Sequence, residues 1–258
     1  MLLGPQLPLG RGLKKFGQKG YDATQKEVNQ LHKRGCFNPI LPSTMTNGEK
    51  NKTVDSITLL TEKRDGTVKG RMVYNGKPTR QWMDKEDKAS PTVTKEAINL
   101  TGVIDAMEGR DIMTVDIPNA FVQAKFPELK PGEDRCIMKL TGVVVDILVE
   151  IDPTYAGYVV MERGKRVLYV ELWRPLYGHL LASLFWYRDF HHALETEQDF
   201  VFNPYDPCVA NRFVDEKQQT IKFHVDDLMS SHLDYEVNSK FLKWLNDKYG
   251  QFGAVMCT

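Results

Sequence analysis

The sequence predicts an α+β fold in which helices and antiparallel β-hairpins follow one another along the chain. Turn dipeptides between stretches of β-forming residues indicate the hairpins, and apolar residues at helical spacing indicate the helices. The two kinds of element do not alternate in the regular order that a parallel sheet requires. The chain has 258 residues, of which 41% are hydrophobic, so it can bury the core of one large domain or of two modest subdomains.

The first third of the chain predicts an arm, a helix and a hairpin. Residues 1–20, rich in Gly, Pro and Lys, are typical of a flexible arm. The following segment, YDATQKEVNQLHKRG, predicts a short helix with Asp22 as its N-cap and Gly35 at its end. Two stretches of β-forming residues then flank Asp65-Gly66, a dipeptide that favours a hairpin turn.

The rest of the chain continues the pattern. Apolar residues at positions 97, 100, 104 and 107 recur with helical period and predict a helix. The other expected elements, in chain order, are a buried strand ending at Asp116, a strand over 135–140, a helix over 142–151, a hairpin turning at Arg163-Gly164, a helix from Leu176 to about Glu197, a hairpin over 208–225 and an amphipathic helix over 234–250.

Composition and charge exclude several classes of protein. No apolar run approaches the roughly 20 residues of a membrane helix, and the N terminus is a poor signal peptide, so we expect an intracellular protein. The four cysteines are far apart, without the spacing of a zinc site. Residues 1–100 carry 18 Lys and Arg against 10 Asp and Glu, whereas residues 101–258 carry 16 against 24. This asymmetry suits a protein that binds a polyanion and cations, although an ordinary solvated surface explains it equally well.

Two adjacent carboxylates, Asp226 and Asp227, interrupt an otherwise apolar hairpin. Phe223 and Val225 alternate with polar residues before the pair, and Leu228 follows it, so the pattern predicts a strand, a turn and a second strand with both acids near the tip. A cation could offset the repulsion between them. The simpler alternative is that the two side chains only form hydrogen bonds with the backbone of the turn.

A third carboxylate, Asp116, ends the apolar strand IMTVD and precedes a tight turn. If this strand lies beside the hairpin in one sheet, the acids form a pocket of hard oxygen ligands that suits Mg²⁺. Two such ions about 3.5–4 Å apart can activate an attacking hydroxyl and stabilise a departing pyrophosphate. The separation of 110 residues between Asp116 and Asp226 does not by itself establish that they are close.

Four segments, in this order, resemble the reverse transcriptase domain of copia-type retrotransposon polyproteins: TVDIPNAFVQA, LWRPLYGHLLASLFWY, NPYDPCVANRFV and FHVDDLMSSH. The resemblance covers roughly residues 55–250. It implies a right-hand polymerase with fingers and palm subdomains, in which an antiparallel palm sheet packs on helices. No thumb, RNase H, protease or integrase pattern is recognisable, so the chain resembles a fragment of such a polyprotein.

The resemblance also implies a division of the chain. After the arm over 1–20, the reverse transcriptase domain would span 21–258. The fingers would comprise approximately 50–92 and part of 125–180. The palm would comprise approximately 93–124 and 181–258.

The resemblance assigns catalysis to the three acids. Asp116 and Asp226 would be the principal ligands of two Mg²⁺ ions, with Asp227 as a more peripheral acid and Mn²⁺ as an alternative metal. The backbone carbonyl of Ile117 could complete one coordination shell.

Further residues are assigned to the incoming nucleotide. Lys69 and Arg71 would neutralise its triphosphate. Phe121 would exclude a ribose 2′-hydroxyl by steric occlusion, although an ordinary core aromatic is an equally open interpretation. Tyr177 and Gly178 would begin the helix that lines the nucleotide and template pocket.

The chain departs from the family pattern at two places. The segment HLLASLF after Gly178 is almost wholly apolar where the family commonly has a polar or basic residue and a proline. His224 replaces the more usual Tyr before the acid pair, where its ring could still contact a primer terminus. We expect Trp186 and Tyr187 to belong to a helix core rather than to stack on bases.

The function implied is RNA-directed DNA synthesis, with a template–primer of RNA or DNA and a dNTP as partners and no membrane. Other domains of the polyprotein would be further partners. The implied location is the cytoplasm, with association with a virus-like particle or the nucleus left open. The alternatives are a catalytically inactive nucleic-acid-binding remnant and a metal-dependent phosphohydrolase that uses the same acids.

Overall fold

The computed structural model describes residues 5–82, 90–251 and 253–257. It has the predicted mixture of helices and predominantly antiparallel strands, which confirms the α+β class. The chain divides into two compact units, the first comprising Met1–Asp84 and Lys125–Ala182 and the second Lys85–Ala124 and Ser183–Thr258. None of the helices in the described ranges has the length and apolar character needed to cross a bilayer.

The first unit is built on a seven-stranded sheet. Numbered along the whole chain, its strands are β1 (Leu7–Pro8), β2 (Phe37–Ile40), β3 (Val54–Glu62), β4 (Val68–Tyr74), β6 (Ile137–Thr141), β7 (Val160–Glu162) and β8 (Lys165–Leu172). The order is β1-β3-β6-β8-β2, with β4 paired to β3 and β7 to β8. Only the β3–β6 pair is parallel among these. The helices of this unit are α1 (Leu9–Phe16), α2 (Gln18–Lys33), α3 (Asn47–Lys52) and α5 (Val143–Ile151).

The N-terminal segment is folded, so the expectation of a flexible arm is wrong for residues 7–20, while residues 1–4 lie outside the described part. Gly12 of α1 lies so close to β3 that an added Cβ would be 2.7 Å from the Leu60 side chain. The glycine therefore permits close packing of a helix on the sheet rather than chain flexibility. Helix α2 begins at Gln18, four residues before the predicted cap Asp22, because Gly17 with φ 53° separates it from α1.

The hairpins predicted in this unit are confirmed. Between β3 and β4, the Asp65 carboxylate accepts hydrogen bonds from the backbone N–H and the hydroxyl of Thr67, at 2.9 and 2.6 Å. Between β7 and β8, Arg163 and Gly164 have φ values of 48° and 75°, the left-handed pair that a two-residue hairpin turn requires. The predicted strand over 135–140 and helix over 142–151 correspond to β6 and α5.

The second unit is built on a six-stranded antiparallel sheet. Its strands are β5 (Asp111–Asp116), β9 (Val201–Phe202), β10 (Val209–Val214), β11 (Lys217–His224), β12 (Asp227–His232) and β13 (Met256–Cys257), in the order β13-β5-β12-β11-β10-β9. Its helices are α4 (Lys95–Glu108), α6 (Ala182–Gln198) and α7 (Tyr235–Tyr249). In the described part of the chain, short 3-10 helices are Pro42–Thr44, Pro78–Trp82, Ala120–Val122 and Pro153–Tyr158.

The two faces of this second sheet are covered in different ways. Successive side chains of a strand point to opposite faces. Phe223 lies in an aromatic core with Trp186 and Phe190 of α6. On the other face, the Lys222 ammonium donates to Asp105 of α4 at 3.4 Å. Helix α4 is therefore attached to the sheet by buried polar contacts, while apolar residues of its period such as Leu100 and Met107 are exposed.

Helix α6 begins at Ala182 and not at Leu176 as predicted. Gly178 has φ 87°, which is incompatible with a right-handed helix, and an added Cβ would lie 2.3 Å from the carbonyl oxygen of Tyr74. The backbone N–H of Tyr74 in turn donates to the carbonyl of Tyr177 at 2.8 Å. These main-chain contacts at the end of β4 hold residues 177 and 178 in a turn. The helix starts after it.

An ion pair joins the buried Glu49 of α3 to the partly buried Arg135, which lies two residues before β6. The Arg135 guanidinium donates to both carboxylate oxygens of Glu49, from Nε at 2.7 Å and from Nη2 at 3.0 Å. Glu49 also completes the capping box of α3 with Thr46. The hydrogen bonds from Arg135 lower the pKa of Glu49 from 4.5 to about 2.

We expect Glu49→Gln to lower the free energy of unfolding near neutral pH by about 3 kcal/mol. Because the pKa of Glu49 is depressed in the folded state, its contribution is complete above about pH 4.5 and is lost as the pH falls toward about 2. Urea unfolding at a series of pH values should therefore show the two proteins converging in acid. Glu62→Gln, which removes the exposed pair with Lys15, should change stability by less than about 1 kcal/mol. A difference for Glu49→Gln that stays constant down to pH 2 would contradict this account.

Candidate functional site

Asp116 and Asp227 lie directly opposite each other in the second unit. Asp116 is the last residue of β5 and Asp227 the first of β12, and the two strands are antiparallel with these residues as register partners. Side chains directly opposite in such a pair lie on one face with Cβ atoms about 4.5–5.5 Å apart. The pairing thus brings together two carboxylates that are far apart in the sequence.

Asp226 is in the two-residue turn that joins β11 to β12. The pairing of these strands ends at His224 opposite Asp227, which leaves Val225 and Asp226 as the turn. The carbonyl of Asp226 accepts a hydrogen bond from the N–H of Ile117 at 3.0 Å. This bond connects the turn to the residue that follows Asp116. The three acids therefore lie on two hydrogen-bonded segments, the end of β5 and the β11–β12 turn with the start of β12.

The turn contains an unusual backbone conformation at Val225. Its φ is 60°, whereas Asp226 does not have a positive φ. A left-handed first residue is typical of a type II′ hairpin turn, where glycine is the usual occupant. A β-branched residue there is a conformational outlier, with a cost of about 1–3 kcal/mol.

Two contacts hold Val225 in this conformation. Its side chain packs against the aromatic core of the second unit. Its carbonyl accepts a hydrogen bond of 2.7 Å from the indole Nε1–H of Trp186, a side chain that is 1% exposed. Trp186 stacks on Phe190 with ring centroids 5.1 Å apart. The hairpin tip is therefore connected to a buried aromatic stack in the core of the second unit.

The electrostatics of the tip disfavour charge. Burial raises the pKa of Asp226, the carboxylates of Asp227 and Asp116 raise it further, and His224 partly opposes them. Within the described ranges, no Lys or Arg forms an ion pair with any of the three acids. A cation bound here would offset the repulsion.

The donor set has the chemistry of a divalent metal site. Carboxylate oxygens and a main-chain carbonyl, such as that of Ile117, are the hard ligands that Mg²⁺ takes. As the side chains stand, no three His, Cys, Asp or Glu residues of the described part converge closely enough to hold an ion. The residues are of the type that binds such an ion, and the strand pairing places them near one another. The three carboxylates would have to turn toward the ion to coordinate it.

The segment after Asp116 is held by a side chain that the sequence did not single out. The Gln123 amide donates to the carbonyl of Pro118 at 3.1 Å and to the carbonyl of Tyr249 at 3.0 Å. Phe121, in the 3-10 helix of the same segment, is partly buried and packs against the core of the second unit. Ile117 is 1% exposed. The segment from Ile117 to Gln123 beside the acids is therefore held by the hydrogen bonds of Gln123 and by the packing of Ile117 and Phe121.

A cavity of about 350 Å³ opens beside Asp227 on the face of the sheet that carries α4. Its lining combines the polar residues Thr114, Lys222 and His224 with apolar ones such as Met229. A ligand of moderate size in this cavity would lie against Asp227, the one candidate acid in its lining.

The nucleotide-binding candidates other than Ile117 and Phe121 belong to the first unit. Lys69 and Arg71 are two residues apart on β4 and so point to the same face of the strand. The Arg71 guanidinium lies over the ring of Tyr177, 4.5 Å from its centroid. Burial raises the pKa of Glu27 on α2, and the charges of Lys69 and Arg71 oppose that rise. The structure thus brings Lys69, Arg71 and the segment of Tyr177 and Gly178 together around β4.

Comparison with known proteins gives no relative: no protein-family model matches the chain, and no curated protein matches it significantly.

We expect Asp226→Asn to raise the free energy of unfolding of the metal-free protein by about 0.5–2 kcal/mol at neutral pH, because it removes a partly buried charge and its repulsion. The pKa of Asp226 is raised by folding. The parent protein should therefore lose stability as the pH rises from the ordinary aspartate range through this raised pKa, and the variant should not. Thermal unfolding with a chelator at several pH values measures the effect. The matched control is Asp247→Asn, at an exposed position of α7, which should leave the pH dependence unchanged. A lower stability of Asp226→Asn at every pH would contradict the prediction.

Proposed function

We propose that this chain is a reverse transcriptase domain of the copia type that transfers nucleotides from dNTPs to a primer 3′-hydroxyl. The observation that supports it most is the register that sets Asp116 opposite Asp227, with Asp226 in the adjoining turn. Acids at the end of one strand and at the tip of a neighbouring hairpin suit two-metal phosphoryl chemistry. The four ordered sequence segments that resemble the family supply the second, independent argument.

The division of the chain into two units supports the separation into fingers and palm that the proposal requires. The palm would be the second unit, in which residues before and after a long insertion form one antiparallel sheet packed on α6 and α7. The fingers would be the first unit, whose residues 125–182 form that insertion.

The reaction would form one P–O bond and break another, with loss of a proton. The primer 3′-hydroxyl would release its proton to solvent and its oxygen would bond to the α-phosphorus of the dNTP, while the bond from that phosphorus to the departing pyrophosphate breaks. When bound, Mg²⁺ supplies activation of the hydroxyl and neutralisation of the departing charge. Asp116 and Asp226 would hold it, with Asp227 and the carbonyl of Ile117 as further donors. The protein would contribute chiefly position and electrostatics, as in phosphoryl transfer generally.

The remaining candidates would select and orient the substrates. Lys69 and Arg71 would neutralise the triphosphate, and the ring of Tyr177 would hold the Arg71 guanidinium in orientation. Phe121 would occupy the space that a ribose 2′-hydroxyl needs. The cavity beside Asp227 and His224 would receive the primer terminus.

The partners follow from this chemistry. A template–primer of RNA or DNA would be bound mainly through its phosphates, because a polymerase has to accept every sequence. Other domains of the polyprotein would act with the chain, in the cytoplasm, in a virus-like particle or at the nucleus.

Primer extension on an RNA template with Mg²⁺ or Mn²⁺ tests the proposal directly. We expect template-dependent incorporation of dNTPs that Asp226→Asn abolishes, whereas Asp247→Asn retains it. Duplex binding without extension at high protein concentration would instead identify an inactive binding remnant. Hydrolysis of nucleic acid or phosphoesters without dNTP would identify a phosphohydrolase that uses the same acids. Either result would contradict the proposal.

Phe121 provides a test of substrate selection. We expect Phe121→Ala to raise incorporation of ribonucleotides relative to deoxynucleotides by roughly 10- to 100-fold, because removing the ring opens space for one hydroxyl. The ratio of kcat/KM for a matched rNTP and dNTP measures it. Phe202→Ala, at another partly buried aromatic packed on the same core, should lower stability without changing this ratio. A ratio unchanged in Phe121→Ala would show that the ring is only part of the core.

A further inference from the structure

Trp186 connects the hydrophobic core to the backbone of the turn between β11 and β12, which contains the candidate catalytic residue Asp226. It is 1% exposed, and its indole N–H donates at 2.7 Å to the carbonyl of Val225, 39 residues further along the chain. Val225 directly precedes Asp226. An indole has one N–H and no acceptor, so this single bond satisfies the only polar group of a buried side chain.

The indole hydrogen bond holds a residue, Val225, whose backbone conformation is unfavourable. Val225 has φ 60°, in the region that β-branched residues avoid. The carbonyl of a strained residue can leave its position by a peptide rotation, and that rotation would also turn the N–H of Asp226. Since the carbonyl is bonded to a stacked indole, the rotation requires a break of the bond inside the core.

We propose that Trp186 is a positioning residue that holds Val225 in its left-handed conformation and thereby sets Asp226 and Asp227 against Asp116. The role deepens the proposed polymerase function and rests on it where catalysis is concerned. The backbone part of the role depends only on the geometry of the turn. The carbonyl of Asp226 reaches the N–H of Ile117 at 3.0 Å only while the turn keeps its shape.

Trp186→Phe removes the donor and retains an aromatic ring to stack on Phe190. We expect hydrogen exchange at the Ile117 amide to become about 10-fold faster or more, relative to interior amides of β5, because the turn loosens locally. In primer extension we expect kcat to fall about 10-fold or more at unchanged KM for dNTP, since the acids are displaced while the nucleotide contacts remain.

Trp244→Phe is the matched control. Trp244 also stacks on a phenylalanine, Phe241, with centroids 5.5 Å apart, and its indole donates to the exposed Glu197 at 3.2 Å. This variant loses an indole and its hydrogen bond in the same unit without contact to the turn. We expect no selective change at the Ile117 amide and an unchanged kcat. Equal effects of both variants would overturn the inference.

Val225→Gly separates a positioning role from a role in core packing. Glycine adopts a positive φ without strain, so the turn would need the indole bond less. In the Val225→Gly background we expect Trp186→Phe to accelerate exchange at Ile117 by less than about 3-fold, which is a coupling that independent sites do not show. If Trp186→Phe accelerates exchange at the Ile117 amide equally in the parent and in the Val225→Gly protein, the positioning role is contradicted.

One measurement requires no variant that has to fold. In the parent protein, without metal or nucleotide, hydrogen exchange at the Trp186 indole N–H should be no faster than global unfolding of the core allows. Exchange at the rate of an exposed indole would overturn the inference whatever the catalytic assays show. If the exchange results hold and no extension is detected in the parent, the proposed function fails and the positioning of the turn stands.

Discussion

The candidate site depends on the antiparallel pairing of β5 with β12. That pairing places Asp116 opposite Asp227, and the bond from Ile117 to the carbonyl of Asp226 extends it by one step into the turn. Because side chains alternate across a strand, a register shift of one residue would send one of the acids to the other face of the sheet. The apolar residues that bury β5 and β12 therefore fix the site as well as the core.

The tip of the hairpin concentrates unfavourable terms that the surrounding structure has to offset. Asp226 is partly buried near two other carboxylates, and Val225 has a conformation usually left to glycine. The compensation comes from the core below, through packing of the Val225 side chain and the hydrogen bond from Trp186. Strain of this kind is found where function requires a fixed geometry, since a turn optimised for stability would contain neither feature.

The sequence predicted those elements whose signals are local. The hairpin at Arg163-Gly164 follows from a dipeptide that accepts a positive φ. The folded N-terminal segment was not predictable in this way, because glycine serves equally in a flexible arm and in the close contact between Gly12 and Leu60. The function of Trp186 was not predictable either: its spacing indicates a core residue, which it is, but the partner of its N–H lies 39 residues away.

Another carboxylate that contacts the second sheet, Asp105, can be compared with the three candidate acids. Asp105, buried on the face that carries α4, accepts a hydrogen bond of 2.6 Å from Ser231 and pairs with Lys222 at 3.4 Å and with Arg110 at 3.9 Å. For this buried carboxylate the chain thus supplies two cations and a hydroxyl. At the other end of the same strands, in the described part of the chain, three carboxylates have no such ion pair. Asp116 and Asp227 are exposed and Asp226 is partly buried, so water solvates part of their charge, but no ion pair within the described residues offsets the repulsion that Asp116 and Asp227 exert on Asp226. A cation from outside the chain, as the proposed function requires, would offset it.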